Sequence, residues 1–210
     1  MRPRGSRSSP SKLRLVLARE AARLMYEEEV AQYFVAKRMA AKRVLGRHGA
    51  RGLRFRPRDL PSNGEIQQAL LQLAELTEGE ARGARLFEMR ALALEVMRAL
   101  EPFEPRLIGS VATGHVRRGS DIDIQVFAED PDDPERRLIE LGWEHTRDDV
   151  LIRRPDGWHE YQHLRLVREH PIELTVYPRR ELRRRPRSST DGQPIDRLSI
   201  RRVEALLRET

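Results

Sequence analysis

Asp121 and Asp123 stand two residues apart in the run Asp121-Ile122-Asp123-Ile124, which ten residues separate from Ser110. Alternating charged and branched residues have the period of a β-strand with one buried face, and that period turns both carboxylates the same way. Two acids on one face repel each other, and hard oxygen donors at this spacing suit Mg2+. Upstream, Leu107-Ile108 reads as a short apolar strand running into Gly109-Ser110. A glycine there lets backbone N–H groups approach a phosphate, and the serine hydroxyl adds a donor. A phosphate cradle beside metal-binding carboxylates is a constellation for nucleotidyl transfer. Without the Gly-Ser turn, the same two acids would read as the solvated face of an edge strand.

The order apolar-Gly109-Ser110, ten residues, Asp121-x-Asp123 resembles the polymerase-β-like nucleotidyltransferase superfamily, in the spacing of its minimal bacterial members. The likeness covers roughly residues 101–182. It implies a third carboxylate on a neighbouring strand, and Ile172-Glu173-Leu174-Thr175-Val176 supplies one at Glu173. By this resemblance Asp121, Asp123 and Glu173 are catalytic and hold the metal, two Mg2+ ions with Mn2+ as a substitute. Gly109, Ser110, His115, Arg117 and Ser120 would bind the nucleotide. Val111 and Thr113 depart from the pattern, since many relatives carry arginines there; His115, Arg117 and Arg118 are placed to compensate. The implied reaction moves a nucleoside monophosphate from an NTP, ATP being the expected donor, to an acceptor and releases pyrophosphate. Nucleic acid, a protein hydroxyl and a small molecule all remain open as acceptors. The alternative implied by the resemblance is an antitoxin or binding protein acting through a partner protein seated on the N-terminal helices.

The 210-residue chain contains no cysteine, so disulfides and thiolate zinc sites are excluded. No apolar run reaches the roughly 18–20 residues of a membrane span, and a cytoplasmic location is the default. Net charge is +7, and of 40 basic residues only Lys12, Lys37 and Lys42 are lysine. Arginine's planar fork matches phosphate geometry, which favours nucleotide or nucleic-acid partners. Arginine-rich coding is an equally good cause. The run Arg179–Arg187 is the densest basic stretch, though Glu181 and Pro186 interrupt it and no aromatic stacking platform accompanies it.

Composition and periodicity suggest a disordered basic tail over 1–11, a helical N-terminal region over 12–101, and a basic loop with a C-terminal helix over 183–210, and the resemblance implies a nucleotidyltransferase core over 102–182. From Lys12 to Leu45 apolar residues recur at helical spacing without Gly or Pro, so one long helix or two nearly continuous ones are expected. Ser62 to Glu65 is a capping box, and Thr77 to Glu80 reads as a second one opening a further helix. After Pro105 short strands alternate with helices: Arg106–Ile108, Asp121–Phe127, a helix from Glu135 to Leu141, then Val150–Ile152, Tyr161–Val167 and Ile172–Tyr177. The expected fold class is α+β, a small mixed sheet flanked by helices and preceded by an all-helical region.

His159-Glu160-x-x-His163 matches a zinc-peptidase pattern, which requires both histidines one turn apart on a helix. Pro155-Asp156-Gly157 precedes it and alternation follows, so the segment reads as a strand. On a strand the two histidines lie about 13 Å apart and cannot share one zinc.

Overall fold

The computed structural model describes residues 12–30, 32–47, 59–154, 157–184, 187 and 194–209. The expected tail over 1–11, Pro155 and Asp156 of the turn, and Arg185 and Pro186 of the basic run lie outside the described residues. The chain forms two compact units, one comprising described residues up to Gly79 and the other beginning at Glu80.

The first unit holds three helices: α1 (Lys12–Glu27), α2 (Tyr33–Arg47) and α3 (Asn63–Glu78). Leu17, Leu24, Ile66 and Leu70 are buried with Ala21, Ala36 and Ala40, small residues that let backbones approach closely. The apolar run therefore breaks into two helices although it has no glycine or proline. The break falls at Glu29, which adopts φ +53, while the Glu28 and Val30 amides both donate to the Leu24 carbonyl. A left-handed non-glycine residue costs roughly 1–2 kcal/mol, which burial of the two helix faces must offset. At the start of α3 the Ser62 hydroxyl accepts from the Glu65 amide, and the Glu65 carboxylate accepts from the Ser62 amide at 2.7 Å. The second expected box is a correction. Thr77 lies within α3 and its hydroxyl donates to the Leu73 carbonyl, so it caps nothing. Gly79, at φ +50, ends the helix instead.

In the second unit α4 (Glu80–Ala99) leads into β1 (Arg106–Ile108), α5 (Gly109–Thr113), β2 (Ile122–Ala128), α6 (Asp133–Glu140), β3 (His145–Arg154), β4 (Gly157–Leu166), β5 (Ile172–Pro178) and α7 (Ile200–Arg208). The strands order as β1-β2-β5-β4-β3, with β2 and β5 parallel and every other pair antiparallel. The expected mixed sheet flanked by helices is what forms. Period two then sorts the side chains. Ile122, Ile124, Val126, Ile172, Leu174 and Val176 join Met89 and Met97 of α4, Leu138 of α6 and Val203 of α7 in one core. The alternate residues of β2 and β5 pair across the other face, as Asp123 with Glu173, Gln125 with Thr175 and Phe127 with Tyr177. Several boundaries differ from expectation: β2 begins at Ile122 rather than Asp121, α6 runs from Asp133 to Glu140 rather than from Glu135 to Leu141, and β3 and β4 extend into one long hairpin. Among the described residues no helix is long and apolar enough to cross a membrane.

Candidate active site

Gly109 ends β1 and starts α5 at φ +71, and a Cβ built there would collide with the Asp123 carboxylate. Glycine is thus required twice, for the left-handed backbone and for the space. The Asp123 side chain packs directly over the Gly-Ser turn because Ile108 and Asp123 are register partners of antiparallel strands. The loop leaving α5 is held from behind by α4. The Arg82 guanidinium donates to the carbonyls of Val116 at 3.0 Å and Gly114 at 2.8 Å, and Arg90 donates to that of Val111 at 3.2 Å. Neither arginine was legible as a site residue, since on a helix they read as solvated charge. The His115 amide returns to the Ser110 carbonyl at 2.8 Å, and the Ser120 hydroxyl accepts from the Arg117 amide at 3.0 Å. Ser120 therefore shapes the turn that delivers Asp121.

The carboxylates fall into different environments. Asp121 is exposed and precedes the strand, whereas Asp123 is half-buried within it. The Asp123 pKa is raised to about 7, chiefly by burial and then by the charges of Asp121 and Glu173, while His163 opposes them. Glu173 is shifted downward, chiefly by its hydrogen bond with His163 and then by Arg165, against the effect of its own burial. His163 Nδ1 lies 2.9 Å from Glu173 Oε1, and Arg165 Nε donates to Glu173 Oε2 at 3.2 Å. Arg165 also pairs with Asp148 of β3. His163 and Arg165 thus both engage Glu173. Asp148 was missed outright, its part depending on a β3–β4 register that the sequence does not specify.

Gln125 is a further residue the sequence did not single out. It lies between Asp123 and Phe127 on the polar face, 3% exposed, and its Oε1 meets no donor among the described residues.

His159 and His163 both lie on β4, so the helical geometry of a zinc peptidase does not arise. In the basic stretch Arg179–Glu181 form a 3-10 turn, Arg179, Arg180, Arg183 and Arg184 are exposed, and Glu181 turns inward to accept from the Tyr161 hydroxyl at 2.9 Å.

Residues 91–187 match the family described as nucleotidyltransferase domain. The match is to a nucleotidyltransferase domain and covers a little under half of the chain. Solved structures similar to it include a cytoplasmic RNA terminal U-transferase, 19% identical over 44% of this chain and 29% of that one, with a TM-score of 0.33. Cid1 in complex with the UTP analogue UMPNPP is 14% identical over 54% of this chain and 37% of that one, with a TM-score of 0.34. The chain thus spans well under half the length of either structure. No functionally curated protein matches the sequence significantly.

The nucleotidyltransferase fold implies divalent metal. The donor set fits one: Asp123 is pushed up first by burial and then by two neighbouring carboxylates, a repulsion that a hard cation relieves. Among the described residues no group of three or more His, Asp or Glu side chains is already closed into a metal cage. Asp123 lies beside Glu173 in register, and Asp121 at the exposed edge of the strand.

Proposed function

We propose that this nucleotidyltransferase domain catalyses Mg2+-dependent transfer of a nucleoside monophosphate from an NTP, ATP in the first instance, to an acceptor hydroxyl. The observation carrying the reading is the cross-strand pairing of Asp123 with Glu173 beside the Gly109 turn. The acceptor oxygen bonds to the α-phosphorus, the bond from that phosphorus to the bridging oxygen breaks, and pyrophosphate leaves with the electron pair. The acceptor proton passes to solvent. Asp121 and Asp123 would hold the ion on the triphosphate, and Asp121, Asp123 and Glu173 the ion at the acceptor. Bound there, Mg2+ or Mn2+ supplies charge neutralisation of attacking and leaving oxygens. Gly109 and Ser110 would grip the β- and γ-phosphates, with His115, Arg117 and Ser120 on the adjoining loop. Positioning and preorganised charge then account for most of the rate. The cytoplasm, where NTPs are made, is the proposed setting.

The test is incubation with α-labelled ATP, UTP, GTP or CTP and Mg2+ against RNA, protein and small-molecule acceptors. Label should move to one acceptor class with wild type, and not with D123N or after EDTA. Absence of transfer from every NTP to every class would remove the catalytic reading.

A second reading, an antitoxin-like protein acting through a partner, is favoured by one observation. The helical unit exposes Phe34 at 67%, Leu76 at 87% and Val16 at 47%. Such apolar residues suit a helical partner. Co-expression with a candidate partner should give a stable heterocomplex that F34E or L76E dissolves.

A further inference from the structure

The turn that follows β5 is anchored on its inner side and charged on its outer side. Glu181 is buried there, the Tyr161 hydroxyl donating to it at 2.9 Å, and Leu182 packs against the Phe127, Tyr161 and Tyr177 cluster. The Arg197 guanidinium lies 5.2 Å from the centre of the Phe127 ring and donates to the carbonyls of Leu182 at 3.2 Å and Arg184 at 2.6 Å. These contacts hold the backbone of the turn without using Arg179, Arg180, Arg183 or Arg184, all four of which are exposed. The one acid that interrupts the run points inward, so the outer surface presents four arginines and no carboxylate. Other exposed arginines of this unit meet acids: Arg136 pairs with Asp130 and Asp133, Arg147 with Asp132 and Glu135, and Arg202 with Glu209. Among the described residues no ion pair engages the four arginines of the turn.

The place of the turn matters as much as its charge. Phe127 and Tyr177 alternate with Asp123 and Glu173 along β2 and β5, so the rings under the turn share the sheet face of the carboxylates. Phe127 is four residues beyond Asp123, roughly 13 Å at the rise of a strand. That is about four nucleotides at the roughly 3.4 Å per residue of a stacked strand. Four guanidinium groups outnumber what a single triphosphate needs, and their planar forks match phosphate oxygens bidentately. No large apolar side chain is exposed among residues 179–184, so the turn has nothing to insert into a lipid surface.

Resting on the nucleotidyl-transfer reading, we propose that this turn docks the sugar-phosphate backbone of a single-stranded nucleic acid whose terminal hydroxyl is the acceptor. That hydroxyl oxygen bonds to the α-phosphorus as pyrophosphate leaves, and its proton passes to solvent. Arg179, Arg180, Arg183 and Arg184 hold upstream phosphates and read no bases.

Fluorescence anisotropy of a labelled single-stranded RNA of about 20 nucleotides, longer than common single-strand sites, tests docking apart from catalysis when read on the full chain in EDTA without NTP. Wild type should bind with a Kd of about 1–100 µM at physiological salt. Single-stranded DNA of the same sequence should bind within ~10-fold of it. R179Q/R180Q/R183Q/R184Q should weaken binding at least ~10-fold and lower the log–log salt slope by about 2–3, roughly 0.7 for each lost contact. R179Q/R180Q should lower the slope by about half as much and serves if the quadruple variant does not fold. With Mg2+ and labelled NTP, the quadruple variant should raise KM for the strand at least ~10-fold and leave kcat within ~3-fold. Variant-sensitive binding without transfer to any acceptor would uphold the docking surface and remove the catalytic reading. A wild-type Kd above about 100 µM, unchanged affinity and slope in the folded variants, or transfer only to protein or small molecules would overturn the proposal.

Discussion

Glu65 in the helical unit and Asp123 in the sheet unit are partly buried acids pushed in opposite directions. Glu65 accepts from Arg14 Nε at 2.7 Å and from the Ser62 amide, and its pKa falls to about 2, the Arg14 hydrogen bond being the largest cause. Asp123 is raised to about 7, first by burial and then by two like charges. An acid that stabilises a fold is given cations and amide donors. An acid held among other acids destabilises the empty protein, and such a placement persists where a ligand relieves it. The same contrast recurs along the β2–β5 pair: Asp123 and Glu173 repel at one end, while Phe127 and Tyr177 stack at 5.8 Å at the other. The register that buries the aromatic pair is the register that sets the acids side by side.

D123N should break the contrast most sharply. Transfer should fall by more than ~100-fold, since loss of residues merely supporting metal ligands costs about 10–100-fold. The thermal midpoint should stay level or rise because a repulsive charge is gone. H163A should lower transfer by about 10–100-fold by freeing Glu173, and the deficit should appear in kcat more than in KM. G109A should destabilise by about 1–3 kcal/mol in denaturant titration, because it combines a left-handed backbone with a collision on Asp123. G119A is the control: its φ is +76 but no atom lies within 4 Å of the added Cβ, so only the smaller conformational cost remains.

E65Q should do the converse of D123N. Transfer chemistry should be untouched, while the helical unit loses about 1–2 kcal/mol at pH 7. The Glu65 pKa is lower folded than unfolded, so its contribution is present above about 4.5 and is lost as pH falls toward about 2. Acid melts of E65Q should accordingly be flatter than wild type across that window. T77A should have the smallest effect, within about 0.5 kcal/mol, because Thr77 is not a cap.

What was legible follows from range. The Gly109-Ser110 turn, the alternation around Asp123 and the Ser62–Glu65 box are local, and period or spacing exposes them directly. Glu173 depended on a resemblance, because only the parallel β2–β5 pairing brings it beside Asp123. The Arg82 and Arg90 anchors, the His163–Glu173 bond and the Asp148–Arg165 pair each join residues far apart in the chain, and no local pattern announces them. Thr77 misled because S/T-x-x-E also occurs inside a helix, where side-chain spacing is unchanged but the amides are already bonded. The break at Glu29 was ambiguous because the turn there uses a left-handed glutamate rather than a glycine.

The central claim is that Asp123 and its neighbouring carboxylates hold a divalent ion on a nucleoside triphosphate. Mn2+ bound with a non-hydrolysable ATP or UTP analogue, followed by electron paramagnetic resonance, tests it without knowledge of the acceptor. Wild type should take up Mn2+ in a nucleotide-dependent manner, and D123N should show no bound ion above background while melting normally. Equal Mn2+ and nucleotide binding by a folded D123N protein would contradict the account.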